Sequence, residues 1–104
     1  MSDRIARIQK MLQASPDDAF LHYSLGMEYV SDGDLAAAKA AFLHVLELDG
    51  KYLPAYVEAG KCLRSAGELL QARELFEKGR QLAQSRGDAH MADYIVQQLE
   101  GLPR

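Results

Sequence analysis

Leu25 to Phe42 reads LGMEYVSDGDLAAAKAAF, and Ala59 to Phe76 reads AGKCLRSAGELLQARELF. Laid one over the other, Gly26 falls on Gly60, Ser31 on Ser65, Gly33 on Gly67, Leu35 on Leu69, Ala38 on Ala72 and Phe42 on Phe76. Small residues, a turn glycine and an aromatic ring thus recur at one fixed offset. A period of this length marks a chain built from stacked copies of one supersecondary unit. One helix hairpin cannot bury its apolar face alone, whereas stacked copies can. Gly26 with Ala38 lets two helices approach closely, and Phe42 fills the space beside that contact. Gly60, Ala72 and Phe76 form the same set again.

Breakers outside these segments extend the pattern. Ser15-Pro16-Asp17-Asp18 closes one helix and offers a carboxylate cap to the next. Gly33 suits the left-handed position after a helix, and Asp34 caps the one that follows. Gly67-Glu68 and Gly87-Asp88 repeat that turn, Asp49-Gly50 ends another helix, and Pro54 fits a first helical turn. Gly101-Leu102-Pro103 is a final stop. The spacing predicts six helices, over 2–14, 17–32, 35–49, 53–66, 69–85 and 88–100. Each carries an apolar stripe at helical spacing, such as Ile5, Ile8, Met11 and Leu12 in the first. The joints are short, so successive helices run antiparallel. No alternating β-branched run predicts a strand.

With these residues in place, the chain resembles the tetratricopeptide repeat (TPR) family, whose pattern is W-x2-L-G-x2-Y…A-x3-F…P on a period of about 34. A first repeat, 19–52, carries Leu25-Gly26, Tyr29, Ala38 and Phe42, with His22 for the tryptophan and Gly50 for the proline. A second, 53–86, carries Tyr56 at the tryptophan position, then Gly60, Ala72 and Phe76. It departs from the pattern at Ala59, Leu63 and Gln84. Without a proline at Gln84, the fifth helix is expected to run to about Ser85. Residues 2–14 match the second helix of a preceding repeat, with Ile8 at the phenylalanine position, and 87–100 match the first helix of a following one. The resemblance implies an all-α, right-handed stack of antiparallel hairpins. In it, 88–100 serves as a cap whose outward residues are His90, Asp93 and Gln97, and Tyr94 at a small-residue position marks the end of the stack.

Composition bounds the function. The chain has 104 residues and a formal charge of −3, which argues against a broad phosphate-binding surface and hence against nucleic acid. No apolar run approaches the roughly 18 residues of a membrane helix. A charged N-terminus and a single cysteine, Cys62, point to a cytoplasmic setting. Chemistry for an enzyme is not evident. His22, His44 and His90 lack metal-motif spacing, so no metal or cofactor is expected, and His22 and His90 read as packing or hydrogen-bonding residues. Cys62 reads as a small core residue rather than a nucleophile. Asp17, Asp18, Asp32 and Asp34 read as helix-end carboxylates. Arg73, Lys78, Arg80 and Arg86, interleaved with Glu74 and Glu77, read as a solvated helix face.

The resemblance further implies a protein-binding module, an adaptor or scaffold, with first helices of the repeats lining a concave groove. Carried onto this chain, groove positions include Phe20, Tyr23, Met27 and Val30; Val57, Glu58, Lys61 and Arg64; and Met91, Ala92 and Ile95. Phe20, Tyr23, Met27, Val30, Val57, Met91 and Ile95 then form an apolar strip, with Lys61 and Arg64 as two positive charges beside it. Such a strip suits an amphipathic helix or extended segment of another protein with an acidic flank. The carboxylate clamp of some TPR domains is not expected here, because Tyr23, Met27, Glu58, Asp88 and Ala92 stand at its positions. A second reading has the groove or terminal helix packing against another copy of the chain, as a homo-oligomeric scaffold.

Overall fold

A computed structural model describes residues 3–103. Six α-helices follow one another: α1 (Asp3–Ala14), α2 (Ala19–Ser31), α3 (Leu35–Leu48), α4 (Leu53–Ser65), α5 (Leu69–Ser85) and α6 (Ala89–Glu100). No strand occurs among the described residues. Helix ends lie within two residues of the sequence-based bounds; Ser2 lies outside the described residues. Each helix packs on the next in chain order, most extensively α2 on α3 and α4 on α5. The result is a slab of 39 × 28 × 20 Å.

The three glycine turns share one construction. At the first, the Gly33 N–H donates to the Val30 carbonyl (3.0 Å) and the Asp34 N–H to the Tyr29 carbonyl (2.9 Å). This pair of bonds closes a helix through a left-handed residue. Gly33, Gly67 and Gly87 supply that residue, with φ of +78°, +78° and +71°. Asp34 and Asp88 then turn at once into N-caps, their Oδ1 atoms accepting from the amides of Ala37 (3.1 Å) and Met91 (3.0 Å). Asp18 caps α2 in the same way through Leu21 (3.1 Å). Glu68 does not cap α5; its longer side chain reaches Lys39 Nζ at 3.2 Å instead, tying successive hairpins together. Asp17 and Asp32 likewise cap no helix N-terminus.

A methyl built on Gly33 or Gly67 meets no atom within 4 Å, so only backbone strain penalises alanine there. Gly33→Ala and Gly67→Ala are each expected to cost about 1 kcal/mol, the penalty of left-handed backbone for an L-residue. Urea denaturation of the two variants measures it.

The repeated close contact lies between the helices of each hairpin. Methyl groups built on Gly26 and Gly60 stand 2.5 Å from Cε1 of Phe42 and Phe76, respectively. Both rings are fully buried. Around Phe42 gather Ala38, Ala59 and Cys62; around Phe76 gather Leu53, Val57, Leu63, Ala72, Ala83, Ala92, Ile95 and Leu102. The second cluster is the larger because α6 and the returning C-terminal residues close over it. Arg73 Nη2 donates to the Pro103 carbonyl at 3.5 Å, and Leu102 is buried.

The tryptophan positions are filled by hydrogen-bonding equivalents. His22 Nε2 lies 2.7 Å from the Pro16 carbonyl, and the Tyr56 hydroxyl donates to the Gly50 carbonyl at 2.7 Å. Each side chain thus ties a helix back to the loop before it. The His22 ring also meets that of His44 edge to face, with ring centroids 4.4 Å apart. Ile8, placed at a phenylalanine position, is only half-buried, and Ile5 is the buried residue of α1. A phenylalanine-position side chain packs on the preceding helix of its own hairpin, and α1 has no such helix among the described residues. Alpha5 does run to Ser85, as the missing proline at Gln84 leads one to expect.

Candidate protein-binding groove

Alternate helices α2, α4 and α6 present one side of the slab, where side chains converge on two adjoining hollows. The larger, about 420 Å³, is lined by Tyr23, Pro54, Val57, Glu58, His90, Met91 and Tyr94. The smaller, about 200 Å³, is lined by Val30, Leu35, Glu58, Lys61, Cys62, Arg64 and Ser65. Glu58, on the central helix, borders both. Helical spacing explains the set: Pro54, Val57, Glu58 and Lys61 recur along one face of α4, and Met91 and Tyr94 along one face of α6.

Among the residues assigned to the groove from sequence, Tyr23, Val57 and Met91 meet in the larger hollow. Val30, Lys61 and Arg64 line the smaller one. Met27 and Val30 pack against the Phe42 cluster, so part of the strip joins helices to one another. Val57 is 4% exposed and forms the floor rather than a projecting contact. Phe20 is 63% exposed and lies outside both hollows. Ile95 is a correction: it is fully buried, its Cδ1 3.3 Å from a methyl built on Gly79 of α5. It belongs to the core because α6 turns that face towards α5. Ala92, also placed at a groove position, is buried in the same cluster. His90, exposed like Asp93 and Gln97, also lines the larger hollow. Pro54 and Tyr94 were not assigned to the groove. The register of Met91 with Tyr94, three residues on, was the signal for the second of them.

The two cations beside the strip have partners. Lys61 Nζ sits 3.5 Å from Glu58 Oε2, donates to the Tyr94 hydroxyl at 3.3 Å and lies 5.8 Å from the centre of the Tyr94 ring. Partial burial works against its charge, but the Tyr94 hydroxyl and the Glu58 carboxylate outweigh it and raise its pKa. Arg64 Nη1 donates to Gln98 Oε1 at 2.7 Å, with the guanidinium 5.9 Å from the Phe76 ring centre. Both side chains therefore brace α4 against α6, and Arg64 also meets α5 at Phe76. Opposite them, Tyr23 lies 5.5 Å from Phe42 and 5.2 Å from Tyr52, centre to centre. Burial, then the nearby Glu58 and Tyr52, push its phenol up to about 12.

Cys62 is 4% exposed, and burial, aided by Glu58 and opposed by Lys61 and Lys39, pushes its thiol up. A reactive cysteine needs the opposite shift. No group of three or more His, Cys, Asp or Glu side chains able to hold a metal occurs among the described residues. No described helix is long and apolar enough to cross a membrane. On α5, Lys78 pairs with Glu74 (3.2 Å) and Arg80 with Glu77 (2.6 Å); just past its end, Arg86 donates to the Lys51 carbonyl.

Known proteins are similar to this chain in sequence or in fold. The sequence profile of the tetratricopeptide repeat matches residues 21–52. A TPR repeat-containing protein of Pseudomonas aeruginosa is 34% identical over 84 residues, covering 81% of this chain and 80% of its own. A Bordetella parapertussis protein with a solution structure is 30% identical and superposes with a TM-score of 0.81, over 96% of this chain and 87% of that one. The tetratricopeptide repeat domain protein of Salinibacter ruber gives a likeness of fold, with a TM-score of 0.75 at 24% identity, over 83% of this chain and 99% of that one. With its echoed hairpins, its glycine–phenylalanine contacts and this relative in Pseudomonas aeruginosa, the chain belongs to the tetratricopeptide repeat family.

Proposed function

We propose that this chain is a non-enzymatic interaction module, acting in the cytoplasm, that holds a segment of a partner protein along α2, α4 and α6. TPR repeats generally mediate protein–protein interaction. The observation that supports the reading here is the pair of adjoining hollows, joined at Glu58, with Tyr23, Met91 and Tyr94 half-exposed at the rim of the larger. Tyrosine is a frequent interface anchor because it combines a large contact area with one polar handle. Lys61 and Arg64, being engaged internally, shape the groove more than they reach across it.

Tyr23→Ala is expected to weaken partner binding by about 2 kcal/mol or more, roughly thirtyfold, with the fold retained. The measurement is a calorimetric titration against a purified segment of a partner recovered on the immobilised protein. Lys78→Ala, on the far side of α5, serves as the control and binds as wild type. Loss of binding in Lys78→Ala but not in Tyr23→Ala moves the interface to the opposite face. The competing occupant is a second copy of the chain. A mass that doubles with concentration in light scattering, and reverts in Tyr23→Ala, assigns the groove to self-association.

A further inference from the structure

The larger hollow has a definite electrostatic character. Three kinds of group line it: phenol rings (Tyr23, Tyr94), apolar walls (Pro54, Val57, Met91) and one carboxylate, Glu58, with His90 at the edge. Neither lysine nor arginine is among its lining residues. Tyr52 extends the aromatic wall, its ring 5.2 Å from that of Tyr23. Asp18 and Asp49 lie near Tyr52, and Glu58, paired with Lys61 at 3.5 Å, lies near Tyr23.

The chain itself shows how such a surface receives a cation. The Lys61 ammonium rests between the Glu58 carboxylate (3.5 Å) and the Tyr94 hydroxyl (3.3 Å), within cation–π range of the Tyr94 ring at 5.8 Å. It approaches from the smaller hollow and uses Glu58 Oε2. Glu58 also lines the larger hollow, which is about 420 Å³ and so wide enough for a long side chain.

We infer that the larger hollow receives a cationic side chain, lysine or arginine, of the bound partner segment, held between the Tyr23 and Tyr94 rings and charge-paired with Glu58. This rests on the groove reading above and names the chemistry of its occupant. The charge complementarity is opposite to that read from sequence, where Lys61 and Arg64 suggested an acidic ligand. Arg64 is engaged by Gln98, and Lys61 already shares Glu58, so an incoming cation joins Lys61 on that carboxylate while the Tyr23 and Tyr94 rings supply π-faces.

The test uses four small probes and the full chain. N-acetyl-arginine, -lysine, -leucine and -glutamate methylamides are titrated to about 50 mM, enough to saturate millimolar sites, while methyl and aromatic NMR signals of Met91, Tyr23 and Tyr94 are followed. The expected result is saturable shifts at all three residues with the arginine or lysine probe, and none with glutamate. Which of the two cations binds more tightly identifies the side chain. Glu58→Gln is expected to weaken that binding on the order of fivefold, the scale of one partly exposed charge pair. Lys61→Met is expected to strengthen it by a similar factor, because it frees Glu58 from its internal partner. Shifts with leucine alone would overturn the inference while leaving an apolar groove in place. Tighter binding of glutamate, weakened by Lys61→Met, would overturn it in favour of an acidic ligand. No shift with any probe overturns it outright, and the partner titration of Tyr23→Ala then decides the groove reading separately.

Discussion

Gly26→Ala is expected to destabilise the protein by about 3 kcal/mol, the upper range for overpacking a core contact. Any side chain at this position places its first carbon 2.5 Å from Phe42 Cε1 and 2.8 Å from Cδ1 and Cζ. The obstacle is a ring with no exposed surface, so it cannot swing aside as the tip of a surface chain would. Leucine, larger still, is expected to exceed ~3 kcal/mol by a wide margin. The sharper measurement is a double-mutant cycle. Phe42→Ala alone costs about 3–5 kcal/mol through the cavity it leaves. In that background the clash at Gly26 is gone, and Gly26→Ala then gains about 1 kcal/mol of helix propensity. The sign of the same substitution reverses. Urea denaturation of all four proteins, with a stabilising osmolyte to keep the Phe42→Ala pair folded, reads the coupling. A Gly26→Ala cost that is independent of residue 42 would contradict the contact. Gly60 and Phe76 offer an independent copy of the experiment at the same 2.5 Å.

That contact also shows why the fold was legible in the sequence. Gly26, Ala38 and Phe42 answer to one local requirement, close approach of two antiparallel helices, and a requirement met twice at a fixed offset stands out in the text of the chain. Gly33, Gly67 and Gly87 are legible for a similar reason, since left-handed backbone all but demands glycine. The capping aspartates follow from the adjoining helix start. Glu68 is instructive as the exception: its position predicts a cap, but one extra methylene and a lysine from the previous hairpin draw it away.

The groove was legible only as a set of positions. Helical register says which residues of α4 share a face, but not how deeply a neighbour covers them. Val57 and Ile95 both read as groove residues and both are buried, Val57 as the floor of the larger hollow and Ile95 in the core cluster around Phe76. Lys61 and Arg64 read as available charges. Their partners, Tyr94 and Gln98, lie on a different helix one repeat farther along, a long-range pairing that no local pattern encodes. His22 with His44 is another such pairing, invisible in the spacing of the two residues.

The division of α6 into a core face and a groove face gives the second large effect. Ile95→Ala is expected to cost about 3 kcal/mol, within the range for truncating a fully buried branched side chain. Met91→Ala, half-exposed at the rim, is expected to cost about 1 kcal/mol. For a chain of this size the difference corresponds to a melting temperature roughly 10 °C lower in Ile95→Ala than in Met91→Ala. Ile95 packs near Gly79 of α5: a methyl built on Gly79 would stand 3.1 Å from Tyr56 Cβ and 3.3 Å from Ile95 Cδ1. The cavity left by alanine is thus bounded by a helix already held at close range by Tyr56, and it has little freedom to collapse. Binding separates the two residues in the other direction. At a temperature where both variants are folded, Met91→Ala is expected to weaken binding of the partner segment, because Met91 lines the larger hollow. Ile95→Ala leaves the lining intact and binds as wild type. Thermal unfolding and calorimetric titration of the same two preparations give both readouts. A stable Ile95→Ala with impaired binding would return Ile95 to the groove, and with it the orientation of α6 that its sequence pattern first suggested.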